Sequence, residues 1–312
     1  MRFVENGGGL RLIKTTKILL ASSLFALTVS LSSASAQSLA DPDLLVLGDS
    51  QILFRGGPAY VDHFSKLAET CSALIPERAN DFKTHFIGDV GVAGIRAASI
   101  NSWLARQGKE KDALCVPEKS WPENTRGFGV LHTPDQKFHQ TGSDGAYPLC
   151  QADRSPIETM FKDIAIKPKL LVFAILGGYA KNWAKDEALA QKHAAELAAQ
   201  VPENTPCLYL STAPSFSENH NSHRRKGQDH FFDGIQKAPG ACLPVRGLTD
   251  KTISAFQGNS EFYKTRDDGT VRDVFHPNDL GIRTFLNKVS PAMCQALVTI
   301  MDRDQTAALK SD

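Results

Sequence analysis

Leu44-Leu45-Val46-Leu47-Gly48-Asp49-Ser50-Gln51-Ile52 is the stretch from which the fold is read. Its first four residues are apolar and β-prone, and they predict a short buried strand. Gly48-Asp49-Ser50 then breaks the run and ends on a hydroxyl. A strand there carries Ser50 to the edge of a sheet, where a nucleophile can meet a substrate. The same tripeptide is also an ordinary turn or helix cap, because Ser and Asp favour both.

Working outward from that strand, residues 84–88 read as a second strand. Residues 89–94 read as a tight loop bearing Gly91 and Gly94, with a helix over 97–106 behind it. Residues 169–176 are continuously apolar, as a central strand covered on both faces should be, and Gly177-Gly178 ends them. Residues 207–210 and 242–245 read as the last two strands. Between them, 60–71 has helical spacing with Val61, Phe64, Leu67 and Ala68 on one face. Residues 186–200 are rich in good helix formers. Residues 278–301 predict one long helix, or a pair broken at Ser290-Pro291. Strands alternating with helices imply an α/β fold, a parallel sheet with helices on both faces.

Two segments lack periodic patterning. Residues 109–156 are rich in Gly, Pro, Asp, Ser and Asn and read as a loop insertion. Its Trp121, Phe128, His132, Phe138 and Tyr147 either line a substrate cleft or fill a small core of the insertion's own. Residues 215–240 form a polar connection with His220, His223 and Arg224-Arg225-Lys226. Histidines three apart can hold a metal, but among Asn, Ser and Arg they read as a solvated loop.

The chain has 312 residues and a formal net charge of +1. That balance argues against a nucleic-acid partner or a membrane surface held by bulk charge. Arg11, Lys14 and Lys17 precede an apolar run over 18–31, and Ala34-Ser35-Ala36 fits a small-x-small cleavage site. Residues 1–36 therefore read as a secretory signal peptide, and 37–312 as one mature domain, periplasmic or secreted. No later stretch approaches the roughly 18 to 20 apolar residues of a membrane span. The six cysteines, Cys71, Cys115, Cys150, Cys207, Cys242 and Cys294, all lie beyond residue 36 without metal-ligand spacing. They read as disulfides rather than a zinc site. The strand order suggests Cys207–Cys242 between neighbouring strands and Cys71–Cys294 between the first and last helices. Cys115–Cys150 would then staple the insertion.

Asp273-Val274-Phe275-His276-Pro277-Asn278 is the second informative stretch. An Asp three residues before a His can accept from one imidazole nitrogen, which fixes the tautomer and leaves the other to take a proton. The same pair could equally cap the helix that starts near Asn278. Taken together, Gly48-Asp49-Ser50 after the first mature strand and Asp273-x-x-His276 before the last helix resemble the SGNH, or GDSL, hydrolase family. The resemblance implies a flavodoxin-like three-layer α/β/α sandwich. It also implies Ser50 as nucleophile, His276 as general base and acid, and Asp273 as the residue that orients His276. It implies an oxyanion hole in which Gly94 stands for the family's Gly. With the Ser50 N–H, an Asn side chain completes the hole in that family. Here Tyr179 stands where the Asn is expected, and Asn182, three residues late, either supplies the amide through a bulged loop or lies at the surface. Mechanistically the triad needs no cofactor and no metal. Export, the likeness of the Gly94 loop to acetylesterases and the aromatic insertion favour a carbohydrate or small ester substrate, with O-acetyl groups foremost. A lipase or arylesterase, a polysaccharide O-acetyltransferase and a carbohydrate-binding protein on the same scaffold are the competing expectations. The sequence leaves the oligomeric state open.

Overall fold

A computed structural model describes residues 42–95, 103–106, 128–132, 138–140, 153–163, 165–176, 179–202, 204–238 and 242–311. Leu44–Gly48 forms β1 and is buried along its whole length. Its side chains alternate between two apolar layers, Leu44 and Val46 in one and Leu45 and Leu47 in the other. A strand needs both faces covered before it can afford such a run, and helices supply the cover. On the first face pack α1 (Gly57–Ser65), α2 (Leu67–Leu74) and α3 (Ala79–His85).

The remaining strands are β2 (Val90–Ile95), β3 (Phe128–His132), β4 (Phe138–Gln140), β5 (Leu170–Ala174), β6 (Cys207–Leu210) and β7 (Cys242–Val245). The second face is covered by α4 (Ala180–Lys185), α5 (Glu187–Ala198) and α6 (Glu218–Lys237). Then come α7 (Asp250–Phe256) and α8 (Asp279–Ser311), with Phe256 and the buried stripe of α8 on the first face. The sheet runs β4-β3-β2-β1-β5-β6-β7. Five neighbours, β2-β1-β5-β6-β7, are parallel, and β3 and β4 extend the β2 edge antiparallel. The parallel strands thus lie in the flavodoxin-like order, which places a topological switch point at β1. The result is a three-layer α/β/α sandwich within the unit Ser38–Asp312.

Several sequence expectations change. Residues 84–88 are not the second strand. Helix α3 runs to His85, burying Phe82 and Phe86 while Ile87 stays 53% exposed, and the strand is 90–95. There β2 is paired on both edges, by β1 and by β3. The 109–156 segment is not a plain loop, since β3 and β4 use it to extend the sheet. The 215–240 connection is the 20-residue helix α6. Of the two readings of 278–301 the structure has the single helix: α8 continues through Pro291, held by the buried residues Phe285, Val289, Met293 and Leu297 on either side. The expected helix over 60–71 is present but breaks at Lys66 into α1 and α2.

Two of the suggested disulfides are formed. Cys71–Cys294 joins α2 to α8, and Cys207–Cys242 joins β6 to β7 at paired positions with Cα atoms 4.2 Å apart. Cys115, Cys150 and the leader expected at 1–36 lie outside the described residues. Among the described residues no helix is long and apolar enough to cross a membrane.

Candidate active site

Gly48 ends β1 opposite Gly94 of β2 and Ala174 of β5, so the chain that follows emerges at the switch point. Buried Asp49 holds that exit. Its Oδ1 accepts from Gln51 N at 2.9 Å and its Oδ2 from Leu176 N at 3.2 Å, which ties the ends of β1 and β5 together. The Asp49 carbonyl accepts from Ile52 N and Leu53 N, and Trp103 Nε1 donates to Gly48 O at 3.0 Å. Ser50 therefore opens a wide helical turn on a braced platform, partly exposed.

The other half of the site comes from the far end of the chain. Backbone bridges Tyr263–Pro277 and Thr265–Val271 fold 263–277 into a small hairpin. Asn278 closes it, donating from Nδ2 to Glu261 O and Tyr263 O and capping α8 by accepting from Gly281 N at 2.9 Å. Within this loop Asp273 Oδ1 accepts from Phe275 N and His276 N, and Asp273 Oδ2 lies 2.7 Å from His276 Nδ1. A carboxylate can only accept, so Nδ1 carries the proton. His276 Nε2 is then left as acceptor, 2.9 Å from Ser50 Oγ. Burial alone would raise the Asp273 carboxyl, but the Phe275 N–H, the His276 ring and the His276 N–H outweigh it. They hold the group below the usual carboxylate range. Asp273 is thus ionised at neutral pH.

Gln51 joins the two halves. It is 5% exposed, and its Nε2 donates to Ala213 O at 3.0 Å and to Phe275 O at 2.9 Å. One amide pins the loop after β6 and the loop carrying His276 to the residue beside Ser50. Sequence reading missed Gln51, because its acceptors lie 162 and 224 residues away.

The expected oxyanion residues fall differently. Gly94 is in β2, not in a loop, and sits against the turn after Ser50. A Cβ there would come within 3.0 Å of Leu53 N and 3.2 Å of Asp49 O, so a side chain would press on the Ser50 turn. Asn182 is exposed on α4, and its side chain has no hydrogen-bond partner among the described residues. Tyr179 packs its ring against Trp183 and His193. Gly177 and Gly178 lie outside the described residues.

His220 and His223 lie on α6, not on a loop. His223 Nδ1 bonds Asn219 O, and the His220 ring lies 4.4 Å from the Phe275 ring. Among the described residues no group of three or more His, Cys, Asp or Glu could hold a metal ion.

No family model matches the chain, and no curated protein matches it in sequence. Among solved structures, a DUF4886 family protein from Bacteroides uniformis is similar over 80% of this chain and 81% of its own. The identity is 10% and the TM-score 0.44. A likeness at that level carries no chemistry across.

Proposed function

We propose that the protein is an exported serine ester hydrolase of the SGNH type. The observation that carries this reading is the hydrogen-bonded series Asp273–His276–Ser50 at the switch point of the sheet. His276 Nε2 takes the proton from Ser50 Oγ as the oxygen attacks an ester carbonyl. The tetrahedral oxyanion forms beside the Ser50 turn, where the Ser50 N–H and Gly94 are its candidate partners. His276 then gives the proton to the departing alcohol, leaving an acyl-serine. Water repeats the sequence and releases the acid. Asp273 keeps the imidazole in the working tautomer and stabilises the imidazolium. The two disulfides support export, since such bonds persist in oxidising compartments. An O-acetylated carbohydrate is the favoured substrate.

A fluorophosphonate probe and a series of short-chain aryl esters test this reading. Ser50 labelling is expected in the native chain, with hydrolysis falling from acetate to longer acyl groups. Ser50→Ala should remove the label and cut hydrolysis by roughly a thousandfold or more. An unlabelled native chain without turnover overturns the reading. Preference for long acyl chains redirects it to a lipase, and product appearing only with a sugar acceptor redirects it to an acetyltransferase.

A further inference from the structure

Arg224 and Arg225 are neighbours on α6 with different partners. Arg225 pairs with the Asp250 carboxylate, and Arg78, Arg154, Arg246 and Arg283 pair with carboxylates too. Arg224 instead donates to Ala213 O at 2.9 Å and to Thr212 Oγ1 at 2.6 Å, on the loop after β6. It makes no ion pair among the described residues. The Asp49 charge lies within electrostatic reach, but that carboxylate accepts from Gln51 N and Leu176 N. The two bonds of Arg224 use only part of its fork of N–H donors. A partly desolvated cation fixed by a carbonyl and a hydroxyl leaves its charge for a ligand to neutralise.

That cation sits beside the candidate active site. Ala213 O, which Arg224 contacts, also accepts from Gln51, the residue after Ser50. One turn earlier on α6, His220 lies against Phe275, which adjoins His276 and is 45% exposed. Lys181 at the start of α4 is exposed and shares the electrostatic neighbourhood of His220 with Arg224 and His223. Burial first, and then Arg224, His223 and Lys181, hold the His220 imidazole below its usual range.

We propose that Arg224 binds a carboxylate carried by the ester substrate and so selects anionic esters. This rests on the esterase reading and adds the charge of the substrate to it. The probes are 4-acetoxybenzoate and its neutral methyl ester, compared as the ratio of kcat/KM. The native chain should favour the anionic ester by roughly tenfold at low salt, and added salt should narrow the ratio. Arg224→Gln should bring the ratio near one, Arg224→Lys should keep part of it, and Arg225→Gln should leave it unchanged. A native ratio near one, or a ratio that survives Arg224→Gln, overturns the proposal. So does equal loss on both esters, which is what a purely structural role gives. Binding of both esters to Ser50→Ala, followed by ligand-observed NMR, reads the same selectivity without turnover. If the native chain hydrolyses neither ester, the esterase reading fails. Carboxylate preference in binding, lost on adding Arg224→Gln, would then still support the anion site, and equal binding would overturn it.

Discussion

Gln51 shows why a residue can matter without touching the reacting atoms. Its side chain bridges two loops whose carbonyls would otherwise be left without this donor. Gln51→Ala is expected to destabilise the fold by about 1–3 kcal/mol. It should also lower kcat by roughly tenfold with little change in KM, because His276 loses its register with Ser50. An unchanged kcat in a folded variant would mean that the bridge does not position His276. At this scale Ser50, Asp273 and His276, which the fold brings within hydrogen-bond distance, were legible as candidates because each belongs to a short local pattern. Gln51 was not, since nothing in its neighbours reports a partner on another loop. Arg224 was misread for a related reason: beside Arg225 and Lys226 it looked like one solvated charge among three.

Helix α6 is the element that sequence patterning hid. Its apolar residues, Phe231, Phe232 and Ile235, crowd into the last turns, while the buried positions before them are Asn221, Gly227 and Gln228. Those polar groups are satisfied by tertiary partners: Asn221 bonds Ser215, and Gln228 bonds Ser211 and Leu248. Hydrophobic periodicity cannot register a face buried in that way. The glycines belong to the same packing. A Cβ at Gly227 would lie 2.3 Å from Ala180 O on α4, and one at Gly234 would lie 2.7 Å from Ala194 Cβ on α5. In an exposed helix, Gly→Ala stabilises by about 1 kcal/mol. Gly227→Ala should do the opposite here, lowering stability by about 1–2 kcal/mol as α6 is pushed from α4. Chemical denaturation reads the sign, and a more stable variant would show that the two helices can part without cost. The misplaced second strand has a simpler origin, because Phe86 and Ile87 look strand-like until α3 takes up the first of them.

For the molecule as a whole, the disulfides stitch sequence ends that the fold has already brought together. Cys71–Cys294 spans 223 residues and Cys207–Cys242 spans 35. Chain-entropy reasoning gives about 5 kcal/mol for the first and about 4 for the second as upper values. Replacing Cys71 and Cys294 together by Ala should therefore lower the denaturation midpoint more than replacing Cys207 and Cys242. The reverse order would show that native-state packing at β6 and β7 outweighs loop closure. The sequence by itself determined β1, β5, β6 and β7, the parallel α/β class they imply and the residue types of the proposed triad. Those rest on local chemistry: apolar runs long enough to be buried twice, and an Asp three residues from a His. Only the tertiary structure decided that β1 lies at the switch point, that β3 and β4 widen the sheet, and that Ser50 meets His276 226 positions away. It also decided that Arg224 meets no carboxylate among the described residues. These depend on which surfaces pack and which polar groups then find partners, and such pairings across long separations leave no periodic trace in the chain.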